Sequence, residues 1–317
     1  MKSYRSILVV LDPSREEQPA LGRALGLAEQ TGAAVTIFLA IYDFSYEMTT
    51  MLSVEEREAM RQAVLHQRSL WMENLIAPYR RHGTSMSIKA VWHNRPYEAI
   101  LQEALSNDHD LIVKSTHSHD KLKAVIFTPT DWHLIRKSPV PVLLVKDQAW
   151  RDDGHIIAAI NAGTEDDDHL SLNQRISEEA LQLAELVNAH VHLVNAYPGT
   201  PFNIAIEIPE FDPGAYSEAV REHHLSEMAK HAERYQIPPG QCHVLEGLPE
   251  DVIPNVAEVR DAELVVLGSV GRTVLSAALI GNTAEQIIDR INCDVLAIKP
   301  AGFVCPLPLP PQSEPKA

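Results

Sequence analysis

DLIVKSTHSHDKLKAVIFTPTDWHLIRKSPVPVLLVKD, residues 110–147, lies over ELVVLGSVGRTVLSAALIGNTAEQIIDRINCDVLAIKP, residues 263–300, at a constant offset of 153 positions and without a gap. Leu111/Leu264, Val113/Val266, Leu122/Leu275, Ala124/Ala277, Thr130/Thr283, Ile135/Ile288, Val142/Val295 and Lys146/Lys299 are identical. The register runs back to Pro96/Pro249 and Ile100/Ile253, and SILVVLDPS near the start resembles HIIAAINAG at 155–163. Identity is modest, but an apolar pattern shared over this length marks a tandem duplication.

Each half alternates short β-branched runs with helical patterns. In the first, YRSILVVL and AAVTIFLAI read as buried strands, with a helical pattern from about Glu16 between them and Gly32 as its stop. Ser53-Val-Glu-Glu56 has capping-box spacing and opens a longer helix. SIKAVW, a helix opened by Pro96, DLIVKS, a helix near 129–138 and VPVLLVK complete five strands in βαβ order. That order predicts a parallel, doubly wound α/β sheet. The second half repeats it with strands near 155–160, 190–197, 241–246, 263–268 and 294–298. Domain 1 is therefore expected over 1–147 and domain 2 over 155–300, joined by the polar DQAWRDDG. Residues 301–317, rich in proline, read as a mobile tail.

Composition narrows the class. At 317 residues the chain has room for two cores, and 45% hydrophobic with 22% charged residues is ordinary for a globular protein. No apolar run approaches the roughly 20 residues of a membrane helix, so membrane insertion is not expected. The first apolar run ends at Asp12-Pro13, too early for a signal peptide, and three cysteines make no paired framework. A reducing, cytoplasmic setting is expected. The net charge of −16 repels phosphate backbones and anionic lipid, so nucleic acid is not an expected partner and a small-molecule ligand is.

Such a ligand is expected beyond the carboxyl ends of the strands. There the second half carries Gly268, Gly271 and Gly281, the last at a helix entrance. Glycines let backbone N–H groups approach an anion, and a helix N-terminus adds free donors and partial positive charge. Three loop glycines taken alone are more often turn chemistry. Their spacing, Gly268-x2-Gly271-x9-Gly281, resembles the nucleotide-binding pattern of the universal stress protein family. The order of FSYEMTT, VWHNRP and FTPTDWHL in the first half and GNTAEQ in the second resembles tandem members of that family over nearly the whole chain.

The resemblance implies two α/β domains about a pseudo-twofold axis, an intramolecular pseudo-dimer able to pair further as a homodimer. In that arrangement the equivalent strands VPVLLVK and CDVLAIK are expected to meet antiparallel. It also implies a stress-survival factor, acting in growth arrest or under oxidative or DNA-damaging stress, with ATP or another adenine nucleotide as ligand. On this pattern the domain 2 site comprises Asn161, Gly268, Gly271, Arg272, Gly281, Asn282 and Thr283. Two positions depart from the family. Asn282 replaces its Ser or Thr, with a hydroxyl one residue later at Thr283, and Asn161 replaces its first-strand Asp. Domain 1 keeps Asp12 but has Ser115, Ser118 and Thr128 in place of the glycines, and Pro129 removes a donor from its helix start. Its site reads as degenerate.

Other residues carry alternatives. His117 and His119, or the neighbouring-strand pair His192 and His243, could share a soft divalent metal such as zinc or cadmium. Independently hydrogen-bonded or solvated histidines are the plainer reading of both pairs. Phe202, Ile204, Ile206, Ile208 and Phe211 form a segment too apolar for an exposed loop, either a packed flap or the wall of an apolar ligand pocket. Lys114 and Lys146 end apolar strands and read as snorkelling side chains. The sequence has no G-x-S-x-G elbow, Walker lysine, Cys-x-x-Cys or His-Glu-x-x-His. A non-enzymatic ligand-binding protein is the leading expectation, with a nucleotide-hydrolysing enzyme and a histidine-based metal buffer as alternatives.

Overall fold

The computed structural model describes residues 4–43, 52–119, 124–200, 212–269 and 282–307. They form two compact units, one built on residues up to Asp147 and the other on Gln148–Val304, with 305–307 grouping with the first.

In the first unit the strands β1 (Ser6–Val10), β2 (Ala34–Ile41), β3 (Met86–Trp92), β4 (Leu111–Ser115) and β7 (Val142–Val145) lie in the order β3-β2-β1-β4-β7, every pair parallel. Strands β1, β4 and β7 are near-continuous apolar runs, because helices cover both faces of a parallel sheet. Helix α1 (Pro19–Thr31) starts on a proline and stops at Gly32, whose φ of 74° lets its N–H turn back to the Ala28 carbonyl. Helix α2 (Val54–Ile76) opens with the Ser53–Glu56 capping box, both reciprocal bonds formed. Helix α3 (Pro96–Ser106) and helix α4 (Pro129–Lys137) complete the crossovers. One feature departs from the sequence reading. Residues expected as plain loop after β4 contain an antiparallel hairpin, β5 (His117–His119) with β6 (Ala124–Ile126).

The second unit repeats the order. Strands β8 (His155–Ala159), β9 (His190–Tyr197), β10 (Cys242–Glu246), β11 (Leu264–Gly268) and β12 (Asp294–Ile298) lie as β10-β9-β8-β11-β12, all parallel. The helices are α5 (Asp167–Val187), α6 (Pro213–Tyr235), α7 (Pro249–Val259) and α8 (Asn282–Arg290). Pro254 lies inside α7 and donates no hydrogen bond to the Glu250 carbonyl four residues back. Arg290 compensates, donating to that carbonyl at 2.6 Å and pairing with Asp251. The last residue of α8 is thereby anchored to α7, which fixes the helix whose start carries the glycine motif. Among the described residues no helix is long and apolar enough to cross a membrane.

Candidate functional site

At the carboxyl ends of β1, β4 and β7, described side chains of the first domain bond to one another and to the nearby backbone. Asp12 turns inward on its own loop: one carboxylate oxygen accepts from the Ser14 N–H at 2.9 Å and the Ser14 hydroxyl at 2.6 Å. Gln18 clamps the Asp12 backbone at both N–H and carbonyl. Ser115 is buried and accepts from the Ala20 N–H at 3.0 Å, satisfying an orphan donor at the start of α1. Arg15 reaches across the edge, donating to the Thr116 carbonyl at 2.7 Å and pairing with Asp147 at 2.5 Å.

Thr128 caps α4 in a box with Asp131, whose carboxylate accepts from the Thr128 N–H at 2.7 Å and hydroxyl at 2.9 Å. Asp131 is fully buried and pairs with Lys114 at 2.7 Å. A protein carboxylate thus sits at the helix start where an external anion would bind. Lys114 does not snorkel: it is buried, and this carboxylate together with the Ser115 carbonyl at 3.0 Å holds its ammonium. Lys146 is also buried, 5.8 Å from the centre of the Phe127 ring. Both strands end inside the fold, so neither stem can carry its charge to water.

The second domain is built differently at the matching positions. Leu267 stands at Lys114, Gly268 at Ser115 and Ala284 at Asp131. The equivalent helix α8 therefore has no carboxylate at its third residue. Ser269 keeps the joint seen at Thr116, its N–H donating to the Ile298 carbonyl at 2.9 Å as Thr116 donates to Val145. Lys299 is buried at the end of β12, donates to the Ser269 carbonyl and lies 4.7 Å from the Phe303 ring centre. Burial lowers its pKa to about 8. Arg175 donates to the Lys299 carbonyl, so two cationic side chains flank the point where the chain leaves β11.

Across the edge, the loop after β8 is pinned by two buried asparagines. Asn173 of α5 accepts from the Asn161 N–H at 3.0 Å and donates to its carbonyl at 2.8 Å, leaving the Asn161 side chain exposed. Asn195 of β9 accepts from the Ala162 N–H at 2.8 Å and bonds His224 at 3.0 Å. The amide nitrogen must donate there, so His224 accepts at Nδ1. Its ring stacks on Tyr197, and burial together with His223 lowers its pKa.

Gly268 has a reason internal to the fold. A Cβ there would lie 2.3 Å from Leu172 of α5, so the glycine permits close strand–helix packing whether or not a ligand binds. Thr283 is half-buried in the first turn of α8, and Asn282 opens the helix. Gly271, Arg272 and Gly281 lie outside the described residues, as do Phe202, Ile204, Ile206, Ile208 and Phe211. For Ser118, His117 and His119 the backbone is described, in strand β5.

His192 and His243 are brought together, though not as the two independent residues of the plainer reading. His192 Nδ1 lies 3.1 Å from His243 Nε2, and its Nε2 lies 3.0 Å from Nδ1 of His155. Both ring nitrogens of His192 are thus engaged by other imidazoles. Among the described residues no group of three or more His, Cys, Asp or Glu is arranged to hold a metal. Arg15, Asp131, Lys299 and His155 escaped the sequence reading. Asp131 alone had a local signal, the capping spacing Thr128-x-x-Asp131.

Two parallel, doubly wound α/β domains in one chain define a tandem α/β protein. The sequence profile described as the universal stress protein family matches residues 3–146 and 167–299, and the chain belongs to that family. It is 53% identical over 310 residues to universal stress protein E of Salmonella typhi, covering 98% of each chain. It is 43% identical to the universal stress protein E homolog of Haemophilus influenzae, covering 94% of this chain and 98% of that one. Among solved structures, a functionally unknown protein of Pseudomonas aeruginosa superposes with a TM-score of 0.75 at 30% identity, covering 94% of this chain and 93% of that one. A universal stress protein of Archaeoglobus fulgidus shares the fold at a TM-score of 0.61 and 14% identity, covering 93% and 96%. The chain is a stress-response protein of tandem type.

Proposed function

We propose that this protein is a non-enzymatic, cytoplasmic stress-survival factor that holds one small ligand per chain, in its second domain. An adenine nucleotide is the first choice of ligand and an apolar molecule lodged beside the same edge the second. What supports this reading is the difference between the two carboxyl edges. The first domain fills its own with Arg15, Asp131 and Asp147, whereas the second has Gly268 and Ala284 at matching positions, with Lys299 and Arg175 adding positive charge. A nucleotide would use backbone N–H groups of the Gly271–Gly281 segment and the start of α8, with the Thr283 hydroxyl near the phosphates. Asn161, exposed on the pinned loop, would face the ribose.

Native mass spectrometry of freshly purified protein tests this. One retained small molecule per chain, lost with Gly271→Val, is expected. Two per chain would contradict the reading, and sustained nucleotide turnover by highly purified protein would replace the binding role with an enzymatic one.

A further inference from the structure

Three imidazoles form one hydrogen-bonded row across the second sheet. His155, His192 and His243 belong to β8, β9 and β10, which are adjacent strands. Residues paired in register share a face: His155 pairs with His190, two residues before His192 on β9, and His243 pairs with Val194, two residues after. All four histidines therefore project from the same side. His192 is 3% exposed, while His155 and His243 at the ends of the row are only partly covered. The centre is sealed and both ends reach water.

The proton count of this row is constrained. Two N···N contacts need one proton each, and a neutral imidazole has one donor and one acceptor. All three rings can therefore be neutral with both bonds formed. One added proton can also be held, because a doubly protonated His192 donates to both neighbours. A second added proton forces N–H against N–H at one of the contacts. The surroundings oppose charge as well. Arg260, just after α7, acts on both His192 and His243. His190 adds to this at His192 and is itself paired with Asp153 at 2.7 Å. Glu263, the carboxylate near His155, is already held by Arg151 at 2.5 Å and by the His155 N–H at 2.6 Å. Strand β10 is the outer strand of this sheet, and the His192–His243 bond is a side-chain tie that binds it inward.

We propose that His155, His192 and His243 form an acid-sensitive latch, which holds β10 against β9 near neutral pH and releases it when the row takes up more than one proton. Burial and the neighbouring positive groups lower the pKa of both His192 and His243, in the sense the latch requires. Released from the row, His192 and His243 would titrate near the ordinary histidine value of about 6.5. Opening therefore takes up protons between roughly pH 6.5 and pH 4.

Hydrogen exchange of the β10 amides in the full chain, followed against pH and referred to β8, tests this. Corrected for intrinsic exchange, the opening equilibrium should rise about tenfold or more per pH unit as pH falls below 6.5, the slope for uptake of at least one proton. His192→Phe interrupts the row and should flatten that slope, while His231→Gln, away from the row, should leave it intact. A β10 opening equilibrium that is constant from pH 7 to pH 5, or an equal slope in His192→Phe, overturns the latch. Imidazole nitrogen resonances of the unmodified protein decide the matter even if a variant fails to fold. At pH 7, His192 should show one protonated and one bare nitrogen. Two protonated nitrogens at that pH, or free titration near pH 6.5, contradict the proposal.

Discussion

Asp131→Ala removes a carboxylate that is fully buried and 2.7 Å from the Lys114 ammonium. It leaves Lys114, whose side chain is 11% exposed, with a neutral carbonyl as its remaining partner, and takes the N-cap bonds from Thr128. Orphaning one member of a buried pair costs about 3–5 kcal/mol. In a domain of this size, each kcal/mol lowers the melting temperature by roughly 2–4 °C, so a fall on the order of 6–20 °C is expected.

The second domain already holds the neutral alternative, Leu267 and Ala284, at these two positions. Lys114→Leu combined with Asp131→Ala should therefore recover most of the loss, leaving about 1 kcal/mol for the missing cap. Because the chain has two units, the assay is urea-dependent hydrogen exchange read separately on peptides from α4 and from β11. The transition in α4 should move while that in β11 stays. An Asp131→Ala cost below about 1 kcal/mol, as for an exposed pair, would refute the reasoning. So would costs of the two single substitutions that simply add in the double variant.

Acid sensitivity should be general as well as local. His192 and His231 have pKa values lowered to about 4, first by burial, so the unfolded chain binds more protons between pH 4 and 6.5. Stability should fall as pH drops through that window, by up to about 3 kcal/mol per histidine, and melting curves of His231→Gln should show a shallower decline than the parent. Gly268→Ala should destabilise the second domain by about 1–3 kcal/mol through the clash with Leu172, seen in denaturant titration without any ligand present. Arg290→Met should loosen α8 by removing its bond to the exposed Glu250 carbonyl, costing up to about 1 kcal/mol and raising exchange rates in both α7 and α8.

The architecture was legible because a duplicated chain displays its apolar pattern twice. Proline-opened helices, the Gly32 stop and the Ser53–Glu56 box lie where local chemistry puts them. The hairpin after β4 was not legible, since its strands are three residues each, one polar (His-Ser-His) and one apolar (Ala-Val-Ile), too short to show an alternation. Lys114 was misread because its partner Asp131 is remote in sequence and is delivered by the cap of another helix. His192 and His243 were found together from strand adjacency, but His155 joins them through a diagonal register that the sequence does not reveal. The packing of Gly268 against Leu172, almost a hundred residues earlier, has no signal in the local sequence.

Calorimetric titration of ATP into the unmodified protein, Gly271→Val and Ser118→Val tests the central claim most directly. The expected result is one site per chain, abolished by Gly271→Val and unchanged by Ser118→Val, with folding of each variant verified by its melting curve. Two equivalent sites per chain, or equal losses from the two substitutions, would contradict the claim that only the second domain holds the ligand.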